Sequence, residues 1–148
     1  MTVLKKRENY REPFDFFDPV RVAAYVEEDV QRLLGNPGII RNQLKVRCSI
    51  TNARAFLQVQ KEFGGFAKFL WSFVDDEPIQ NRWTHIRELP ATSPESDRLS
   101  EELRRRGFKF VGSTICYAVM QAVGMVNNHT TDCPRYKEGA TMSKRWPL

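Results

Sequence analysis

The chain has 148 residues, a length that suits one domain with a single hydrophobic core. Hydrophobic residues make up 41% and charged residues 28%, which excludes a disordered or low-complexity protein. Lysine and arginine outnumber aspartate and glutamate by 23 to 18, and the net charge of +5 favours a polyanionic partner without requiring one.

The predicted elements are almost all helices, because apolar residues recur every three or four positions. Asp18 followed by Pro19 is typical of a helix start, and one helix, or two short ones, should run from there to the next Gly-Asn-Pro-Gly turn. A long helix is predicted over about 41–62 and a short aromatic helix over 66–73. Residues 75–93 contain several prolines and should form an extended connector.

Two further helices are predicted in the second half of the chain. Ser93 should cap a helix over 94–106 that Gly107 ends, and another helix should begin after Gly112 and continue to about Asn127. The apolar residues expected on the inner face of this second helix are Ile115, Ala118, Val119, Ala122 and Val126. The predicted fold class is therefore all-α, with residues 1–148 forming one domain.

The turn between these two helices is a candidate DNA-binding element. The second helix begins directly after Gly112, so its first backbone N–H groups could bind a phosphate, and Arg104–Arg106 add positive charge. Such a helix-hairpin-helix element would use Gly107, Lys109, Gly112, Ser113 and Thr114. An ordinary helix corner with a C-terminal glycine explains the same local pattern.

A second candidate is the pair formed by His129 and Cys133, which are four residues apart and could bind one metal ion from one face of a helical turn. Two ligands are fewer than the four of a closed zinc site. The other histidine, His85, lies in the connector, and Cys48 and Cys116 fall in apolar helical stripes. From these residues alone, a surface turn without metal remains the alternative.

Other patterns mainly exclude functions. The phenylalanine-rich stretch over 63–73 could stack a base but is more typical of a core. Phosphate-binding GxxxxGK[ST], HExxH and GxSxG motifs are absent from the sequence, so phosphoryl transfer and metalloprotease chemistry have no support. Three widely spaced cysteines favour a reducing compartment. The sequence has no apolar stretch long enough to span a membrane. We therefore expect a cytoplasmic monomer without a membrane partner.

Residues 107–117 and 120–127, followed by His129, resemble the corresponding stretch of the DNA-3-methyladenine glycosylase I family. The resemblance extends upstream through 52–55, 38–41 and 2–11. It covers nearly the whole chain, although the connector matches loosely and the tail over about 138–148 matches poorly.

The resemblance implies a helix-hairpin-helix repair enzyme that hydrolyses the N-glycosidic bond of N3-methyladenine in double-stranded alkylated DNA. The methylated base is cationic and leaves readily, so the enzyme mainly extrudes the nucleotide, stacks the base on aromatic rings and stabilises the sugar with a carboxylate. The family also holds a structural zinc ion between its two chain ends. The C-terminal ligands of that ion correspond to His129 and Cys133.

The sequence also departs from the family. The family's catalytic glutamate, its first two zinc ligands and the aromatic residues of its base pocket belong to a segment expected upstream of Met1, so the catalytic residue is unknown within this chain. Asn128 stands where the family commonly has aspartate. We therefore expect either that the start is drawn too far downstream or that the protein is truncated.

These departures lead to two expectations for the 148-residue chain. It should carry little zinc, and it should not release 3-methyladenine, whereas a chain extended upstream should. The alternative functions are a catalytically inactive DNA-binding remnant of the family and a helical protein-interaction module in which the turn is only a corner.

Overall fold

The computed structural model describes residues 2–142. The fold is all-α, as predicted, with one very small parallel sheet. The described residues divide into two compact units. The first comprises the residues up to Glu62 together with Arg106–Lys109, and the second comprises Phe63–Arg105 and the residues from Phe110 onward.

The first unit is built from short helices followed by one long helix. In chain order these are α1 (Thr2–Lys5), α2 (Arg7–Arg11), α3 (Pro19–Ala23), α4 (Glu27–Gly35) and α5 (Gln43–Phe63). Asp18 begins α3 as predicted, since its carboxylate accepts hydrogen bonds from Val20 N at 2.8 Å and Arg21 N at 3.2 Å. Of the two arrangements left open for this stretch, the pair of short helices is confirmed, and the long helix lies within two residues of its predicted bounds.

The core of the first unit is formed by side chains from α3, α4, α5 and the loops between helices. Its buried members are Phe14, Val22, Tyr25, Val30, Leu33, Ile39, Val46 and Ile50. The sequence predicts an apolar stripe on the long helix that includes Leu44, Val46 and Ile50. Val46 and Ile50 are buried as expected, but Leu44 is exposed. The apolar spacing therefore identified the helix better than it identified the buried face.

The second unit contains four helices and the small sheet. The helices are α6 (Phe66–Trp71), α7 (Pro94–Arg105), α8 (Ser113–Ala122) and α9 (Pro134–Met142). The connector contributes β1 (Ile79–Gln80), which pairs in parallel with β2 (Val126–Asn127) so that Ile79 lies opposite Val126. The connector also contains a 3-10 turn at Ile86–Glu88. None of the described helices is long and apolar enough to span a membrane.

The prediction for α8 was wrong in its length and in its buried face. The helix ends at Ala122, because Gly124 adopts a φ of 83° and the chain then turns into β2. Of the predicted inner-face residues, Ile115 is 55% exposed and Val119 is 42% exposed, and Ala118 and Ala122 are also exposed. The buried residues of α8 are Cys116, Tyr117 and Met120. Both faces of α8 are apolar, so residue spacing could not tell which one is covered.

Candidate functional site

The starts of α7 and α8 are joined by small polar side chains. Ser93 caps α7 as predicted: its Oγ accepts from Ser96 N at 3.2 Å, and Ser96 Oγ accepts from Ser93 N at 2.8 Å. Ser96 is fully buried, and its Oγ also lies 2.8 Å from the Oγ of Ser113, the first residue of α8. The predicted DNA-binding residue Ser113 is thus fixed against α7, which packs along α8.

The first turn of α8 has an open N-terminal end. Gly112 occupies the N-cap position with a φ of −64° and a ψ of 156°, and no side chain within residues 2–142 caps this end. The carbonyl of Gly112 accepts the helical hydrogen bond from Cys116 N at 2.9 Å. Thr114 is exposed in the first turn. The N–H groups at this end therefore face an uncapped position that an anion could occupy.

Arg104 is the arginine of the 104–106 run that lies beside this helix end. A Cβ atom built on Gly112 would lie 3.8 Å from Nη2 of Arg104, so an added side chain would meet only ordinary contacts. The guanidinium of Arg105 instead bonds to Glu102 at 2.6 and 2.7 Å. Of the three arginines expected to add positive charge at the start of α8, Arg104 is therefore the one that lies beside it in the second unit.

Gly107 and Lys109 belong to the first unit. Gly107 has a φ of 92°, a conformation that side chains rarely adopt, which explains the glycine at the end of α7. Asn52 of α5 binds the backbone of Lys109 at both polar groups: Lys109 N donates to Asn52 Oδ1 at 2.8 Å, and Asn52 Nδ2 donates to Lys109 O at 3.0 Å. The Lys109 side chain is exposed.

Arg106 and Glu62 form a second contact in the same unit. Two guanidinium nitrogens of Arg106 bond to the Glu62 carboxylate at 2.6 and 2.9 Å, and the Arg106 side chain is only 14% exposed. The roles of Asn52 and Glu62 have no signal in the local sequence, because each residue meets its partner across more than 40 residues of chain.

His129 and Cys133 lie together, but in a non-helical turn between β2 and α9 and not on the helical turn that was predicted. His129 Nδ1 and Cys133 Sγ are 3.6 Å apart, and Cys133 N donates to Thr130 O at 2.9 Å. Two ligands at neighbouring corners of a tetrahedral zinc ion lie about 3.5 Å apart, given Zn–S and Zn–N bonds of about 2.3 and 2.0 Å. The pair therefore has the separation that shared zinc binding requires.

The surroundings of this pair leave room for further ligands. A cavity of about 600 Å³ beside the turn is lined by His129, Cys133 and the exposed apolar residues Ala118 and Ala122 of α8. Within the described part of the chain, no cluster of three or more His, Cys, Asp or Glu side chains could hold a metal ion. His129 and Cys133 are therefore two candidate ligands, and their binding of a metal stays a prediction.

The turn is held along one side by the connector. Ile79 N donates to Met125 O at 2.9 Å, Asn81 N donates to Asn127 O at 3.3 Å, and Thr131 N donates to Trp83 O at 2.8 Å. The connector, expected to be merely extended, is therefore the strand partner of the segment that carries the metal pair.

Glu101 and Glu102 lie in α7, shortly before the predicted hairpin turn, and Asp132 lies between His129 and Cys133 in the chain. Glu101 is exposed, and the Glu102 carboxylate is bound by Arg105. Asp132 is exposed in the turn from Asn127 to Cys133, which we call the metal turn. The prediction that the catalytic residue lies outside residues 1–148 stays a prediction.

Comparison with known proteins shows one family. A model of the family described as methyladenine glycosylase matches residues 1–136. The chain is 52% identical over 136 residues to DNA-3-methyladenine glycosylase 1 of Escherichia coli strain K12, covering 92% of this chain and 73% of that protein.

Solved structures agree with this match. A crystal structure of 3-methyladenine DNA glycosylase I aligns with a TM-score of 0.84 and 54% identity, covering 90% of this chain and 73% of the other. A tyrosine-to-phenylalanine variant of 3-methyladenine DNA glycosylase I in complex with 3-methyladenine aligns with a TM-score of 0.86 and 33% identity, covering 90% and 72%.

Proposed function

The chain belongs to the methyladenine glycosylase family, and from this membership we propose that it acts in hydrolysis of the N-glycosidic bond of 3-methyladenine in double-stranded alkylated DNA. The observation that carries the proposal is the match of the family over residues 1–136, together with 52% identity to the Escherichia coli enzyme. Methylation makes the adenine cationic, so the base is a good leaving group once the nucleotide is extruded from the duplex. We assign no catalytic group to the described residues.

DNA binding is proposed at the uncapped start of α8, in keeping with the predicted helix-hairpin-helix element. The N–H groups that follow Gly112 can donate to a phosphate, and Arg104 lies beside this end to add positive charge. Lys109 is an exposed cation of the first unit and is proposed as a further DNA contact. Contacts of this kind hold the duplex without reading its sequence, so affinity should depend strongly on salt concentration.

Zinc binding is proposed at His129 and Cys133. The distance of 3.6 Å between Nδ1 and Sγ and the adjoining cavity support the proposal. Zinc bound there would act as a structural cross-link to ligands from outside this pair and would take no part in the hydrolysis. Cys133 would bind as the thiolate, and His129 through Nδ1.

Release of base from methylated DNA tests the proposed activity. The purified protein is incubated with methylated duplex DNA and with unmethylated DNA of the same sequence, and released bases are separated by chromatography. Release of 3-methyladenine from the methylated duplex alone would establish the activity and would show that the expectation of an inactive 148-residue chain is wrong. A folded protein that binds neither duplex at low salt would contradict the proposal and favour the protein-interaction module.

One observation favours a second candidate, a DNA-binding family member without activity. The carboxylate of Glu102 near the hairpin is already bound by Arg105, so it is not available to a sugar cation. The same assay distinguishes the two functions. Salt-dependent duplex binding without release of 3-methyladenine, at protein concentrations that saturate the DNA, would establish the inactive DNA-binding protein.

A further inference from the structure

The side chain of Asn128, immediately before His129, is a buried junction between three parts of the second unit. Asn128 is 9% exposed. Its Oδ1 accepts hydrogen bonds from Asn81 Nδ2 at 2.7 Å and from Trp83 Nε1 at 3.0 Å, both in the connector. Its Nδ2 donates to the hydroxyl of Tyr117 in α8 at 2.8 Å. Both polar atoms of this amide side chain are therefore bonded within the protein.

Trp83 fixes the direction in which the Asn128 amide faces. An indole N–H can only donate, so the atom opposite Trp83 Nε1 must be the amide oxygen. The amide nitrogen then necessarily faces Tyr117, whose hydroxyl oxygen accepts from it. Because the orientation is determined by a donor-only partner, the network has a single arrangement.

Trp83 also holds the metal turn at a second point. Its backbone carbonyl accepts from Thr131 N at 2.8 Å, while its indole binds Asn128. One connector residue is thus bonded on both sides of His129 in the sequence.

Asn127 adds a parallel set of contacts from the same strand. Its Oδ1 accepts from His129 N at 3.3 Å, and its Nδ2 donates to Gln80 Oε1 at 2.9 Å and to Tyr136 O at 3.0 Å. The backbone leading into His129 is therefore fixed by two neighbouring buried asparagines, each of which is bonded to the connector.

We propose that Asn128 is a positioning residue for the metal pair, and that Asn81 and Trp83 of the connector act through it to hold His129 within reach of Cys133. This inference rests on the proposed zinc site. The side chain of His129 is exposed and the turn is irregular, so the backbone of His129 is restrained chiefly by the hydrogen bonds of Asn127, Asn128 and Trp83 described above. Residues around the ligands of a metal commonly change its affinity by about 10-fold to 100-fold when they are replaced.

The chemistry of the junction identifies a conservative replacement. Aspartate has the shape of asparagine, and its carboxylate can accept from Asn81, from Trp83 and from the hydroxyl of Tyr117, which would turn to donate. Leucine has a similar size but accepts from none of them, leaving two buried donors unpaired. Asn128→Asp should therefore preserve the junction, and Asn128→Leu should open it.

Cobalt(II) is the probe, because thiolate binding to cobalt produces a charge-transfer absorption that reports the Cys133 ligand directly. The full 148-residue chain is titrated with cobalt(II), and dissociation constants are compared among variants. Asn128→Leu should weaken binding by at least about tenfold, and Asn128→Asp should stay within about threefold of the unsubstituted protein. Trp83→Phe, which removes only one of the donors to Asn128, should lie between them.

Ser100→Ala is the matched control for general destabilisation. It removes a similar internal hydrogen bond, from Ser100 Oγ to Val111 O at 2.6 Å, at a place remote from His129 in the chain, and it should leave cobalt affinity unchanged. Circular dichroism establishes that each variant is folded, and Trp83→Phe carries the test if Asn128→Leu does not fold.

The outcomes distinguish a failure of the proposed metal pair from a failure of the positioning role alone. A cobalt signal in the unsubstituted chain that survives His129→Ala or Cys133→Ala would overturn the metal pair, and the positioning role with it. Two ligands alone should bind cobalt weakly, so the titration extends to a large excess of cobalt(II), and the lack of any signal there would also overturn both. A signal that needs both ligands but is equally strong in Asn128→Leu and Trp83→Phe would overturn the positioning role alone.

Discussion

The start of α8 and the turn from Asn127 to Cys133 were both predicted from short sequence spacings, yet they are stabilised in different ways. The start of α8 is fixed by nearby partners, since Ser96 and Ser113 are 17 residues apart in the chain. The metal turn is fixed from a distance, since Asn81 and Asn128 are 47 residues apart. Its restraints are amide side chains and an indole, whereas those of α8 are hydroxyls.

This difference has a functional meaning. The start of α8 leaves backbone donors uncapped, so a phosphate can satisfy them. The metal turn has its buried amides bonded within the protein, and His129 and Cys133 lie among the residues that line the cavity. Changes at one region should therefore alter DNA binding, and changes at the other should alter metal binding.

The largest expected effect comes from placing negative charge at the first region. The double variant Lys109→Glu with Gly112→Glu should weaken duplex binding at low salt by at least about tenfold, because both new carboxylates repel phosphate. The dependence of affinity on salt should also become shallower, by about one unit of slope for each phosphate that the protein no longer neutralises. Fluorescence anisotropy of a labelled duplex at several salt concentrations measures both quantities.

The matched control is a variant of the second region. Replacing His129 and Cys133 by alanine should remove metal binding and leave duplex affinity within about twofold. Unchanged DNA affinity in the double glutamate variant, with circular dichroism showing a folded protein, would make the hairpin assignment wrong. Equal losses in both variants would mean that the two regions act together.

The second prediction concerns Asn52, which binds both backbone groups of Lys109. Asn52→Ala should lower the free energy of unfolding by about 1 kcal/mol, since water can replace part of both hydrogen bonds at this exposed position. Duplex affinity should fall less than in the double glutamate variant, because the charge of Lys109 remains. Thermal unfolding followed by circular dichroism measures the stability, and Asn52→Asp, which can still accept from Lys109 N, should lose less of it.

The sequence predicted elements better than it predicted contacts. Asp18, Ser93 and Gly107 act at the helix ends where they were expected, because a cap depends on residues within one helical turn. The buried face of α8 was assigned wrongly, because Ile115 and Cys116 are both apolar and only the tertiary structure determines which is covered. The strand pairing of the connector had no local signal, since β1 and β2 have two residues each.

At the candidate sites, too, the sequence indicates neighbours within a few residues but not partners that are distant in the chain. The spacing of His129 and Cys133 predicted correctly that the two side chains lie close together, although the turn that joins them is not helical. The contribution of Asn128 could not be found in this way, since its value depends on Trp83 and Tyr117, which are distant in the chain. In the sequence, Asn128 stands out only as a departure from the family pattern.

A smaller effect, opposite in sign for stability and binding, is expected from Gly112→Ser. Gly112 already has the extended conformation of an N-cap, and a side chain there meets no closer atom than Arg104 Nη2 at 3.8 Å. A serine hydroxyl would accept from the first N–H groups of α8, raising stability by about a few tenths of a kcal/mol. The same hydroxyl would compete with phosphate, so duplex affinity should fall about threefold. Gly112→Ala adds bulk without an acceptor and serves as the control, and equal DNA affinities for the two variants would contradict the role of the uncapped donors.

The smallest expected effect is a response of the connector to acid. The pKa of Glu88 is lowered, chiefly because its carboxylate accepts hydrogen bonds from the backbone N–H groups of Thr84 and His85 and from the Thr84 hydroxyl, with a further contribution from the charge of His85. A carboxylate with a depressed pKa in the folded protein stabilises it above the usual glutamate pKa, and this stability is lost as the pH falls through the folded value. Because Glu88 is exposed, the change should be local: in acid, the amide protons of Thr84 and His85 should lose protection, so that they exchange closer to the rates of an unstructured chain at the same pH. Glu88→Gln should show the faster exchange already at neutral pH, while duplex binding at the start of α8 stays unchanged. If this variant exchanged like the unsubstituted protein, the connector would be held by its strand pairing and the Asn128 junction without help from Glu88.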